Sequence, residues 1–556
     1  MSHQRVPRPQ WPLLTILFLG VIAIATLGFI LANPLDSSPE EQRDQREQRH
    51  VEAIVGSPAR VNPLFAPLND ADADLASLVF SGLTRLGPEG RIFPDLAESW
   101  DISPDGLSYT FKLRRDVRWD DLGVAFTAED AVFTYELLAD PELPTDSRLR
   151  QLWRQVSCDA PDEFTIICDL PEPFAPFLAY TSIGLLPKHI LEGVTATEIF
   201  DSPFNQAPVG TGPFRLAQLD QSKAILRANP TYYGERPAID EIEFRFFPNP
   251  STAAAALSRG EVQALLLGPS ASQEDFDLLT STEGLRAYTS NRTLILMLFL
   301  NNSQPPFDDK DLREAVALSV NVDDVISELL GGRAVRADSP IVPGTWAYNP
   351  QLEPRTHDQE AARQLLEEAG WVMTDDGVRQ KDGKEMRISL MTDQDPLRIA
   401  IAQEVANQLA EVGIQVAVTP QDADLRREFL APHQYQAAIF GWDPGPDPDP
   451  YLVWHSSQVE PPDNGNIAGY QSEDADRVIE EARQTTDLNK RQALYYRFQQ
   501  MFFEDVPSVL LYYPAFTYFV AEEVQNIELG TLFQMSSRFA NATQWSTGES
   551  PELLDN

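Results

Sequence analysis

Cys158 and Cys168 are the only two thiols in a chain of 556 residues, and they lie close together in QVSCDAPDEFTIICDL. Between them stands a turn signal, Asp159-Ala160-Pro161-Asp162, with strand-like sequence on both sides. A hairpin there sets the two sulfurs opposite each other within reach of a disulfide. Outside the cell such a bond persists. A two-thiol metal site is the poorer reading, because no histidine lies nearby and none of the six histidines is spaced as a metal cluster with another. Paired carboxylates could serve as acid and base on a sugar. With 84 Asp and Glu against 43 Lys and Arg, however, neighbouring carboxylates follow from composition alone. His455, between Trp454 and Ser456, has the types but not the setting of a nucleophilic triad. The chain lacks a GxSxG elbow, an HExxH pair and a Gly-rich phosphate loop. An extracytoplasmic hydrolase of glycans or peptides is therefore the rival reading, not the leading one.

The formal net charge of −41 excludes nucleic acid as a partner, since no basic stripe exists to neutralise phosphates. Such acidity keeps a surface protein soluble and steers cationic ligands toward it. At the N-terminus, Arg5 and Arg8 precede an apolar run from Trp11 to Ala32. A bilayer span needs about 20 such residues, whereas a signal-peptide core has roughly 7–15. An uncleaved anchor within residues 1–35 is expected, ahead of a cleaved signal, with the rest of the chain outside. Residues 36–49 have the composition of a flexible linker. The remaining chain is too long for one compact domain.

These groups can act only where the fold puts them, and periodicity supplies much of that frame. From Asp95 to Pro141 the sequence runs through Trp100 and a Ser103-Pro104-Asp105-Gly106 turn into a period-two strand. Tyr109, Phe111 and Leu113 fall on one face; Ser108, Thr110 and Lys112 fall on the other. Trp119 follows, and then a helix start at Thr127, with Glu129 and Asp130 in the first turn where the dipole favours negative charge. A first strand is expected from Val51 to Ile54 and a helix from Ala71 to Phe80. The segment from Ile239 reads strand, helix, short strand, a βα arrangement that suits an α/β lobe. Beyond Thr293 a strand leads to a helix capped by Asp308 or Asp309, with Leu312, Ala315, Val316 and Leu318 at helical spacing. Further helices and strands alternate to YQAAIFGWD, a short apolar strand that ends in a loop crowded with Pro, Gly and Asp. Two more helices precede a last strand in VPSVLLYYPAFTYFVAE.

The Asp95–Pro141 segment, GTGPF at 210–214, NNSQPPFDDKDLREAVALSV, the helix ending EEAGW, the EVGI turn, NIAGYQSEDAD and EDVPSVLLY occur in one order. That order resembles the peptide/nickel-type extracellular solute-binding proteins of ABC importers, the family 5 proteins of dipeptide and oligopeptide binding. The resemblance covers residues from about 50 to 525. It implies an α/β type II periplasmic-binding fold, two lobes with a ligand cleft between them and an inserted α+β domain. On that template lobe I comprises 50–90, 208–297 and 506–556, the insert 91–207, and lobe II 298–505. It also implies a binding protein rather than an enzyme, without a cofactor, monomeric, capturing a peptide or similar solute and handing it to a membrane permease. A sensor receptor using the same cleft is the other alternative.

In such proteins the cleft segment is an apolar strand that ends in Gly-Trp and an acidic loop, here Phe440 to Ser457. Trp442 supplies a flat apolar wall, and Asp443 or Asp447 a carboxylate for a peptide's α-ammonium. Asp-Pro-Asp-Pro also favours a rigid turn whose aspartates cap backbone N–H groups. The dipeptide and oligopeptide binders resemble Gly-Trp-x-x-Asp, and this chain has Gly445 at the last position. The resemblance further points to Asn69 or Asp70 on the first-lobe loop, and to Tyr513, beside Tyr512, on the returning strand. Asn321-Val322 and Trp119-Asp120-Asp121-Leu122-Gly123 depart from the family's pattern at places not expected to line the cleft.

Overall fold

The alternation read between Asp95 and Pro141 folds as the centre of a four-stranded antiparallel sheet. Ala97–Ile102, Ser108–Leu113, Thr165–Asp169 and Ser157–Asp162 pair in that order. Tyr109, Phe111 and Leu113 are buried together with Trp119, Tyr135 and Trp153, while Lys112 on the other face is exposed. Thr127 and Asp130 form a reciprocal capping box at the start of the helix Ala128–Ala139. Cys158 stands opposite Cys168 in the hairpin register, and the two are joined as a disulfide. This is a computed structural model. It describes residues 48–548 apart from 122, 146, 423 and 461–464. The expected membrane anchor and nearly all of the linker lie outside the described residues. No described helix is long and apolar enough to cross a membrane.

From Arg49 onward the frame is a twelve-stranded sheet. Its strands are Arg49–Val55 (β1), Phe214–Leu219 (β2), Lys223–Ala228 (β3), Glu241–Phe247 (β4), Ala264–Leu267 (β5) and Leu285–Asn291 (β6). They continue with Ile295–Leu300 (β7), Ala334–Arg336 (β8), Arg387–Thr392 (β9), Gln415–Pro420 (β10), Ala437–Trp442 (β11) and Ser508–Ala521 (β12). The order is β10-β9-β11-β7-β12-β5-β1-β4-β3-β2, with β6 and β8 also paired to β12.

Two parallel triplets sit in this sheet: β5, β1 and β4, and β10, β9 and β11. Consecutive parallel strands of one sheet need a crossover. The helix Pro250–Ser258 supplies it between β4 and β5, and Pro396–Glu411 between β9 and β10. Each half buries apolar residues on both faces. Around β5 and β1 one face packs on Leu75, Leu78 and Val79 of the helix Asp70–Val79, and the other on Ala253, Leu257 and Phe276. In the other half, Leu312, Leu366 and Val405 pack on one face, and Val478, Phe498 and Phe502 on the other.

The GTGPF turn has a steric reason. A Cβ on Gly210 would lie 1.9 Å from the Val79 carbonyl oxygen, and one on Gly212 would lie 2.4 Å from that of Leu78. Only glycine lets this turn close on the end of the helix. Asp120 also bonds to Gly210, so two widely separated motifs meet here.

One charged network lies inside the first half. Glu52 accepts from Tyr518 at 2.7 Å and from Arg538 at 3.0 Å, and Arg538 forks onto both oxygens of Asp74 at 2.8 and 2.6 Å. It ties β1, the helix Asp70–Val79, β12 and the C-terminal segment together.

Candidate functional site

In open α/β sheets ligands bind outside the carboxyl ends of the parallel strands. In the first half these ends are Val55, Phe247 and Leu267; in the second they are Thr392, Pro420 and Trp442. Both sets point toward one crossing. Leu267 lies opposite Thr517 in the middle of β12, and Trp442 lies opposite Ile295 at the start of β7.

The crossing is a two-stranded ribbon. β12 runs through both halves, pairing with β7 through Ser508–Tyr512 and with β6 through Ala515–Ala521. A register shift interrupts it at Leu296/Met297. At the junction Arg292 N–H donates to the Pro514 carbonyl at 3.1 Å, and Thr293 N–H to that of Leu532 at 3.0 Å.

The loop from Asp443 to Tyr451 leaves β11 at this point, and three arginines organise it. Asp443 accepts from Arg292 at 3.3 Å, from Thr293 Oγ1 at 3.2 Å and from Gly445 N–H at 2.9 Å. Asp447 takes both arms of Arg491, at 2.8 and 2.6 Å. Asp449 pairs with Arg483 at 3.1 Å and accepts from Tyr451 N–H at 3.1 Å. Burial alone would lower the Arg491 pKa; the Asp447 carboxylate more than reverses this and holds the guanidinium charged. Burial pushes the Asp449 carboxyl up, with Arg483 opposing.

Residues from the other half of the molecule close over this loop. The Arg483 guanidinium lies 3.9 Å from the Tyr451 ring centroid and 4.8 Å from that of Phe174, and Ala175 N–H donates to the Arg483 carbonyl at 2.7 Å. Trp346, whose ring lies 5.2 Å under Arg491, donates its backbone N–H to the Glu89 carbonyl at 2.9 Å. The two halves also meet away from the loop contacts, where Arg333 stacks 4.6 Å over Phe276. Burial pushes the Tyr109 hydroxyl up to about 12, with the charge of Arg491 opposing.

The residues expected from sequence fall in three settings. Asp443 and Asp447 lie in the loop, already paired as described. Trp442 is 8 % exposed and packs edge-on against Trp454 at 6.2 Å, so most of its ring is core rather than wall. Asn69 caps the helix Asp70–Val79, accepting from Ala71 N–H at 2.9 Å, while Asp70 is exposed in its first turn. Tyr513 is fully buried, which removes it from a cleft wall in this arrangement. Its hydroxyl donates to the Ser339 carbonyl at 2.6 Å, and its neighbour Tyr512 packs into the core on the opposite face.

His455 accepts at Nδ1 from the Ser457 N–H, a cap for the short helix that follows, and its Nε2 lies 3.2 Å from Glu480. A local cap accounts for this histidine without catalysis. Among the described residues no group of three or more His, Cys, Asp or Glu is placed to hold a metal ion.

Sequence reasoning missed the arginines. Arg491 had a readable signal: with Tyr495, Phe498 and Phe502 it occupies the buried stripe of its helix, and a charge on an apolar stripe demands a buried partner. Arg292 and Arg483 gave no comparable sign.

The model of bacterial extracellular solute-binding proteins, family 5, matches residues 91–461. The oligopeptide-binding protein AppA of Bacillus subtilis is 28% identical over 91% of this chain and 94% of its own length. The dipeptide-binding protein of Escherichia coli is 27% identical over 82% of this chain and 87% of its own. Among solved structures, NikZ from Campylobacter jejuni in complex with Ni(L-His) superposes with a TM-score of 0.71 at 27% identity, covering 90% of this chain and all of that one. AppA from Bacillus subtilis in complex with a nonapeptide gives 0.69 at 26% identity, over 91% of this chain and 100% of that one.

Proposed function

The chain belongs to the bacterial extracellular solute-binding proteins, family 5, and we propose that it captures a peptide or peptide-like solute outside the membrane and delivers it to an ABC permease. The family is one of binding proteins, and capture needs no covalent step. Relatives described as oligopeptide-, di/tripeptide- and dipeptide-binding support the substrate class.

The observation that carries this reading is the convergence of both parallel triplets on one crossing ribbon, with the Gly-Trp loop beside it. A ribbon with a register shift at the crossing lets two rigid halves swing about a few residues. On this proposal lobe I is 50–90, 208–297 and 506–556, lobe II is 298–505, and residues 91–207 are an insert that shares its core with lobe I. The pairing of Thr84–Leu86 with Ile92–Pro94 straddles the proposed edge at residue 91. The apolar run from Trp11 to Ala32 supports an N-terminal anchor that keeps the binding unit at the outer membrane face.

Thermal shift of the detergent-purified full chain against peptide and oligosaccharide panels tests the reading. Saturable stabilisation by peptides without cleavage is expected. Stabilisation by oligosaccharides alone overturns the substrate class, and turnover of either panel overturns the binding role.

A further inference from the structure

The loop after Trp442 is acidic in sequence but not in effect. Asp443, Asp447 and Asp449 are matched one to one by Arg292, Arg491 and Arg483, at 3.3, 2.6 and 3.1 Å. Asp447 commits both oxygens to Arg491. Asp443 and Asp449 also accept from the backbone N–H groups of Gly445 and Tyr451. Gly445 adds no side chain: its φ is +82°, and a Cβ built there would meet nothing within 4 Å. Beside three neutralised carboxylates, the loop therefore offers open space and backbone.

We infer that the ligand, on the peptide-like reading above, carries no free α-ammonium at the end that meets this loop. That end is neutral, as in an N-acylated, pyroglutamyl or cyclic backbone. An ammonium bound here finds no carboxylate of the loop whose charge an arginine does not already balance, and to gain a full ion pair it competes with that arginine. Asp447 and Arg491 are 6 % and 5 % exposed. Parting them leaves a guanidinium buried without a partner, a loss that one new ion pair to the ligand does not recover. Asp443 is more open, but it fastens the loop to Arg292 and Thr293 on the crossing ribbon, and diverting it loosens the loop at the hinge. A neutral amide end disturbs none of these pairs and needs only ordinary hydrogen bonds.

The detergent-purified full chain is incubated with one random peptide pool in two forms, free at the amino terminus and N-acetylated. Peptides retained through gel filtration are identified by mass spectrometry. Retention of acetylated members at least as strong as that of their free counterparts is the expected result. A tenfold or greater preference for free amino termini overturns the inference while leaving peptide capture standing. Retention of neither form, with no thermal shift, overturns peptide capture and this inference with it.

Discussion

At the scale of single residues, the ion pair Asp447–Arg491 should behave as a structural bond. Asp447→Ala leaves a buried, unpaired guanidinium and is expected to cost about 3–5 kcal/mol. Removing both charges together, as Asp447→Leu with Arg491→Met, should recover most of that loss in thermal denaturation. A double variant no more stable than the single one would show that the pair is not the source of the cost. Trp442→Ala removes a large ring from the core around Trp454 and should cost about 3–5 kcal/mol, whereas Trp442→Phe keeps most of the packing. A wild-type melting temperature for the alanine variant would return Trp442 to the cleft wall. The sequence showed that this loop is special, through Gly-Trp and Asp-Pro-Asp-Pro. It could not show which cation each aspartate holds, because the partners lie 44 residues away for Asp447 and 151 for Asp443. Pairing across such separations is a product of the fold, not of local pattern.

At the scale of elements, local pattern carries much further. The capping box at Thr127, the Asp309 cap and the helix Asp70–Val79 stand within a residue or two of where periodicity and cap chemistry place them. The hairpin that joins Cys158 to Cys168 was legible, but its turn falls at Glu163-Phe164; the expected turn residues Asp159–Asp162 instead complete the first strand, with a register shift among them. Replacing both cysteines by serine should cost about 2–4 kcal/mol, a loss measurable by denaturation of the oxidised protein against the variant. What elements do to each other was less legible. The helix Glu473–Gln484 reaches across to the 174–175 segment through Arg483, which is held by Asp449 and sandwiched between Tyr451 and Phe174. Arg483→Ala removes two cation–π contacts worth about 0.5–2 kcal/mol each and the half-buried ion pair to Asp449. It should therefore speed ligand release several-fold with little change in association, read by stopped-flow with a stabilising peptide. An unchanged release rate would remove Arg483 from the closure.

At the scale of the whole molecule, charge decides the pH response. Burial pushes the carboxyls of Asp72, Asp95 and Asp120 up to about 6, while an unfolded aspartate titrates near 3.9. Between these values the folded state binds protons that the unfolded state does not, so stability falls as pH rises through that window. Glu52 runs the other way. Burial would raise it, but Arg538, His50 and Tyr518 together hold its carboxyl below the usual range. Its contribution is present above the unfolded value and is lost as pH falls through the lower folded one. The melting temperature should therefore peak between about pH 4 and 6, with pH 5 on the order of a few degrees above pH 7.5. The net charge of −41 adds self-repulsion of the same sign near neutrality. Salt separates the two causes, because it screens exposed charges and leaves buried carboxyls nearly untouched. In 0.5 M NaCl the rise toward pH 5 should shrink but persist, and Asp72→Asn should reduce what persists. A pH response abolished by salt would assign it to surface repulsion alone.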